Sequence, residues 1–206
     1  ARPVNWALEN MDIDGRWCLI HCTQMTPQET VALAQTGAVA GLCPITESSL
    51  GDGIFDGVRW AQSQGAFAIG SDSNVRISLS EELRTLDYSQ RLRDGTRAAL
   101  ATPEFSTGRR LFDGALAGGA QATQRKSGQI ASGYWADMLA LDMTSEHMWG
   151  RAGDTALDSW IFAGDDRLVT DVWSAGRHMV QDGMHIKRDN IVSAYKRTID
   201  ALRDAL

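Results

Sequence analysis

Three short apolar runs in the first part of the chain each end in residues of the kinds that move protons or bind metals. Residues 17–22 close on His21-Cys22-Thr23-Gln24, residues 38–42 run into Cys43-Pro44-Ile45-Thr46-Glu47, and residues 66–70 run into Ser71-Asp72-Ser73. An imidazole beside carboxylates suits the addition of water at neutral pH, where a metal ion lowers the pKa of the water and a base takes its proton. A carboxylate such as Asp72 can do both jobs, ligating the metal and accepting the proton. A neutral imidazole at His21 can donate a hydrogen bond to developing charge without ligating the metal. Glu47 has two readings: an acid that orients substrate or a neighbouring side chain, or a solvated loop acid or cap for a helix near Asp52. Each residue alone has an ordinary structural explanation, as a satisfied strand-end histidine or a helix-capping aspartate. Their conjunction at three successive strand ends points to chemistry.

The elements that must position these groups follow from local pattern. WCLIHC reads as a buried parallel strand, AVAGL and AFAIG as its two successors. Between the first two, Thr26-Pro27-x-Glu29 predicts a helix start, with Thr26 as N-cap, Pro27 at the first helical position and Glu29 reaching back. Gly37 ends that helix in the left-handed conformation. A second helix is expected over 55–64. Strands separated by helices imply right-handed crossovers and a parallel sheet, whose carboxyl ends are where α/β proteins place their sites.

Beyond residue 74 the pattern changes. Ser78 and Glu81 predict a capped helix through Arg93, with Leu83, Leu86 and Leu92 facing the core. Ser106 or Thr107 starts another, which Gly118-Gly119 should break before a further turn over 120–124. From Gly133 the chain is strand-rich, with turn candidates at Ala175-Gly176 and Asp182-Gly183, and it reads as a small antiparallel sheet. The tail from Asp189 is an amphipathic helix whose stripe of Ile191, Tyr195, Ile199 and Leu202 is expected to dock on the rest of the protein. Paired Gly51 and Gly53 could close a turn over a ligand.

Composition bounds the class. With 206 residues, 43% hydrophobic and 22% charged, the chain is ordinary globular material. A net charge of −6 with no basic run longer than two residues argues against nucleic acid as a partner. No apolar stretch suggests a membrane span and no signal pattern opens the sequence, so a cytoplasmic protein is expected. The three cysteines, Cys18, Cys22 and Cys43, match no zinc-ribbon or disulfide spacing and are expected to be reduced and mostly buried. His147, His178 and His185 lie far along the chain from any second ligand, with no HxH or HExxH spacing. No strand is followed by GxGxxG, which argues against dinucleotide binding.

The segments RWCLIHCTQMT, GLCPITESSLGDGIF and IGSDSNVRISLSEELRTLDYSQRLR resemble the amidohydrolase superfamily, and within it the formimidoylglutamate deiminases. The resemblance implies an α/β fold: the C-terminal part of a (β/α)8 TIM-like barrel (strands six to eight) over residues 1–128, part of a small β-sandwich over 129–187, and a C-terminal helix over 188–206. It implies that Asp72 is the strand-eight aspartate that contacts zinc and shuttles protons, and that His21 is the strand-six histidine beside the water and substrate. The remaining zinc ligands, an HxH pair and a further histidine, are absent here, so the chain is expected to be half of a longer enzyme whose N-terminal half completes the site. Hydrolysis of a small molecule, N-formimino-L-glutamate, in histidine degradation by a homodimer is the implied activity. Two alternatives stand beside it: a nucleobase or S-adenosylhomocysteine-type deaminase, or a non-catalytic half that needs a partner chain. Related nucleobase deaminases resemble Pro-x-Ser-Asn-x-x-Leu after strand seven, where this chain has Pro44-Ile45-Thr46-Glu47-Ser48-Ser49-Leu50.

Overall fold

The computed structural model describes residues 2–73 and 76–205. Three strands, β1 (Cys18–Ile20), β2 (Val39–Leu42) and β3 (Ala66–Ile69), form a parallel sheet in sequence order. Cys18 lies opposite Val39, and Val39 opposite Ala66, so all three strands end at one rim. A first helix, α1 (Pro3–Asn10), precedes the sheet and was not signalled by the sequence pattern. The crossover from β1 to β2 is α2 (Pro27–Gln35), which opens with the expected box: Thr26 accepts from the Glu29 amide and Glu29 accepts from the Thr26 amide.

The β2 to β3 connection holds two helices where one was expected. The first, α3 (Pro44–Leu50), occupies the segment read as a loop, and Pro44 supplies its first residue with no amide to lose. The second, α4 (Gly57–Gln62), is shorter than the predicted 55–64 because Asp56 caps it. Trp60 of α4 is buried and its indole N–H donates to Ala66 O at 3.0 Å, tying helix to strand.

After β3 come α5 (Leu79–Asp94), capped by Ser78, and α6 (Thr107–Thr123), capped by Ser106. Leu83 and Leu86 of α5 are buried as expected, but Leu92 is 85% exposed, on the opposite face of the helix. Gly118-Gly119 does not break α6, which runs on to Thr123 and absorbs the predicted separate turn. The reason is packing: a Cβ at Gly118 would lie 1.8 Å from Phe67 O, so glycine there lets α6 lie against β3. That close approach offsets the helix-propensity cost of about 1 kcal/mol.

The second sheet is antiparallel, in the order β4 (Met138–Leu141), β5 (Val169–Ser174), β6 (Arg177–Gln181), β7 (Met184–His185). Ala175-Gly176 and Asp182-Gly183 both take positive φ at each residue, the geometry of two-residue hairpin turns. Between β4 and β5, α7 (Asp154–Asp158) passes into a π-helical turn over Ser159–Ala163. That turn sends Trp160 and Ile161 into one buried cluster with Leu83, Leu111, Leu42 and Met148. The last helix, α8 (Arg188–Arg203), buries none of its residues. Its expected docking stripe is exposed, Tyr195 at 65%, because none of the described elements packs extensively on it.

Candidate active site

The rim at the carboxyl ends of β1, β2 and β3 brings His21, Glu47 and Asp72 together. His21 follows β1 directly with φ of 67°, held by its amide donating to Gly41 O at 2.7 Å. Asp72, beyond β3, also has a positive φ, 50°. Left-handed backbone at non-glycine residues costs of order 1–3 kcal/mol and concentrates at functional sites. Here it falls on two of the residues singled out by type.

Glu47 is neither a solvated loop acid nor a cap near Asp52. It lies in the first turn of α3, 6% exposed, and its Oε1 accepts from the Cys43 amide at 2.9 Å. The same oxygen lies 3.2 Å from Nδ1 of His21, whose Nε2 lies 3.8 Å from Oδ2 of Asp72. The imidazole therefore stands between two carboxyl groups. Burial pushes the Glu47 carboxyl up, opposed by the hydrogen bonds from Cys43 and His21. This contact refines the expected donor role of His21: with Nδ1–H given to a Glu47 carboxylate, Nε2 donates only from a doubly protonated ring. A neutral ring donates from Nε2 only when Glu47 supplies the proton between itself and Nδ1.

Cys43 completes a cluster that sequence reasoning missed. One ligand atom each from His21, Cys43 and Asp72 lie within 4.8 Å of one another. Burial, with the charges of Glu47, Asp72 and Glu82, pushes the Cys43 thiol up to about 11. The signal was available, since Cys43 sits at a strand end like the other two, but a strand cysteine is more often plain filling. A carboxylate such as that of Asp72 is a donor that zinc takes, and the three groups offer too few ligands to hold it by themselves.

The loops around the rim are tied to one another. Thr23 Oγ1 and Gln24 Nε2 donate to Asp52 O at 2.7 and 2.5 Å, which fixes the segment after α3 to the segment after β1. Gly51 is the left-handed C-cap of α3, so helix termination accounts for it. A cleft of about 250 Å3 flanks Glu47, lined by Pro44, Ser48, Gly51, Phe55 and Leu86 among others. Asn74 and Val75 of the SDSNV motif lie outside the described residues.

The other candidates lie elsewhere. Cys18 and Cys22 are free and half-buried, the Cys22 thiol pushed up to about 12 by burial. His178 pairs with Asp171 in the antiparallel sheet, His147 lies 3.8 Å from Glu146, and His185 Nδ1 accepts from the Lys187 amide. Among the described residues no helix is long and apolar enough to cross a membrane.

Comparison with known proteins agrees with the fold. The chain is 46% identical over 204 residues to a formimidoylglutamate deiminase of Pseudomonas aeruginosa, covering 98% of this chain and 45% of that protein. A 5-methylthioadenosine/S-adenosylhomocysteine deaminase of Pyrococcus abyssi is 26% identical over 62% of this chain and 29% of its own length. Among solved structures, an amidohydrolase from Brucella melitensis superposes with a TM-score of 0.90 at 46% identity, over 98% of this chain and 44% of that one. An adenosine deaminase from Xanthomonas campestris with bound zinc shares the fold, with a TM-score of 0.80 at 24% identity over 93% of this chain and 44% of that one. The chain thus spans less than half the length of these relatives. A sequence model of the amidohydrolase family matches residues 3–179, most of the chain and all of the rim, and the chain belongs to that family.

Proposed function

We propose that this chain is the carboxyl-terminal half of a zinc-dependent deiminase that hydrolyses N-formimino-L-glutamate to N-formyl-L-glutamate and ammonia, a step of histidine degradation. The observation that carries the reading is the His21 imidazole held between Glu47 and Asp72 at the rim. It occurs in a chain 46% identical to a formimidoylglutamate deiminase. On this reading β1, β2 and β3 are strands six, seven and eight of the barrel, residues 1–128 are barrel, 129–187 part of a β-sandwich and 188–206 a closing helix. The amino-terminal half supplies the other strands and zinc ligands, and the complete enzyme is a cytoplasmic homodimer.

Each residue has a role in the reaction. Asp72 and the ligands of the other half would hold zinc, which would supply Lewis-acid chemistry by lowering the pKa of the attacking water. Asp72 accepts the proton of the water and passes it to the departing nitrogen. His21 presents Nε2 to the reacting group, and Glu47 orients the ring by holding Nδ1. Glu47 thereby acts on the substrate through His21.

A deaminase acting on nucleosides is the second reading, favoured by the 26% relative. Against it, the segment after β2 departs from the Pro-x-Ser-Asn pattern and places Glu47 on His21. The deciding experiment uses the protein completed with its amino-terminal half. Zinc content near one per subunit with ammonia released from N-formimino-L-glutamate, and none from S-adenosylhomocysteine or adenosine, is expected. Release from the nucleosides alone would sink the proposal.

A further inference from the structure

Glu82, in the first turn of α5, is 1% exposed, and its carboxyl group points at another element. Its Oε2 accepts from the Ile45 amide at 2.8 Å across 37 residues of sequence, while Oε1 is buried without a hydrogen-bond partner among the described residues. Ile45 is the second residue of α3, and the N-cap of α3, Cys43, makes no side-chain cap. An amide at a helix start needs an acceptor, and a carboxyl group there also meets the positive end of the helix dipole. The acceptor that α3 lacks locally thus comes from α5. The same short helix carries Glu47, whose Oε1 bonds the Cys43 amide and contacts His21.

We propose that Glu82 is a positioning residue for the rim: by capping α3 from α5 it sets the first turn of that helix, and with it the contact of Glu47 with Nδ1 of His21. The catalytic part of this inference rests on the function proposed above, and its structural part does not. Burial pushes the Glu82 carboxyl up to about 7, with Glu47 and Glu81 adding to the rise and the Ile45 bond opposing it. What α3 requires is the acceptor oxygen, which a protonated acid or an amide also provides. A residue of the same volume without that oxygen would leave the Ile45 amide buried and unpaired, a state the first turn escapes by moving.

Two variants test this in the protein completed with its amino-terminal half and loaded with zinc. Glu82→Met removes the acceptor without leaving a cavity; Glu82→Gln keeps it. Expected for Glu82→Met is a loss of kcat of about tenfold with little change in KM, and a changed 15N resonance of His21 Nδ1. Glu82→Gln should keep both within about twofold of the parent, as a retained hydrogen bond predicts. Adding Glu82→Met to Glu47→Gln should lower kcat no further, because both changes break one path. An unchanged His21 resonance in Glu82→Met, additive losses in the double variant, or equal losses in Glu82→Gln and Glu82→Met would each overturn the proposal. The imidazole spectrum needs no substrate. A changed spectrum in Glu82→Met in a protein that does not hydrolyse N-formimino-L-glutamate would support the positioning role and defeat the function proposed above instead.

Discussion

Two histidines in this chain each lie beside a carboxylate, both with about a third of the side chain exposed, and the difference between them separates a candidate site from an isolated pair. In the antiparallel sheet, His178 Nε2 lies 2.7 Å from Asp171 Oδ1, and the imidazole stacks on Trp173 with ring centroids 4.5 Å apart. Hydrogen bonds from Thr170 and then His178 hold the Asp171 carboxyl below its usual range. The two residues lie on neighbouring strands of one hairpin, and among the described residues no third His, Cys, Asp or Glu joins them in a cluster of the kind formed at the rim. At the parallel rim the contact of His21 with Glu47 is longer, yet three strand ends meet there. One carboxyl group is buried, and His21 and Asp72 hold left-handed backbone. Hydrogen-bond length is therefore a poor guide to function. Convergence of groups from separate strands onto one imidazole is a better one.

The comparison can be broken by substitution at each end. The largest effect is expected for Asp72→Asn in the completed enzyme, a loss of about 10³-fold in kcat if Asp72 moves the proton. Turnover within about tenfold of the parent, with zinc retained, would remove that role. Glu47→Gln should cost about 10- to 100-fold, as residues that orient a catalytic ring commonly do. Here kcat and the His21 imidazole resonances should move together, and a KM effect alone would instead make Glu47 a substrate contact.

A third prediction concerns pH. The Glu82 carboxyl stands at about 7 in the folded chain against an ordinary value of 4.5. Between those values the folded state binds more protons than the unfolded state, so stability falls as pH rises through the window. The loss attributable to Glu82 amounts to up to about 3 kcal/mol by pH 8. Glu82→Gln should flatten that part of the slope, read as urea midpoints at pH 5 and pH 8. An equal slope in both proteins would show that Glu82 is charged throughout. Gly118→Ala comes next, with a stability loss of about 1–3 kcal/mol from crowding against the Phe67 backbone, measured by denaturant unfolding. A variant as stable as the parent would mean that α6 can move off β3 freely. The smallest effect belongs to His178→Ala, for which kcat should stay within about twofold, because the pair lies within one hairpin of the antiparallel sheet and away from the rim. A large loss there would erase the distinction between the two histidines.

Much of the fold was legible because its signals are local. Thr26-Pro27-x-Glu29 forms a capping box by contacts within four residues, and Asp182-Gly183 turns a hairpin by its own dihedral preferences. The alternation of apolar runs with helical patterns was enough to expect a parallel sheet with polar groups at one rim. Where the reading failed, the deciding contact came from far away. Gly118-Gly119 looks like a break until Phe67 is brought against it, and PITESSL looks like a loop until Glu82 supplies the cap that Cys43 does not.

By itself, then, the sequence determined which residue types stand at the ends of β1, β2 and β3, because strand and helix periods are properties of short segments. Only the tertiary structure decided that Glu47 is buried on Nδ1 of His21, that Cys43 joins His21 and Asp72, and that Glu82 reaches α3 from another helix. The His21 contacts depend on the register of the sheet, which places residues 26 apart in the chain, His21 and Glu47, within 3.2 Å. No pattern read along the chain carries that register, since it is set by which apolar faces pack together.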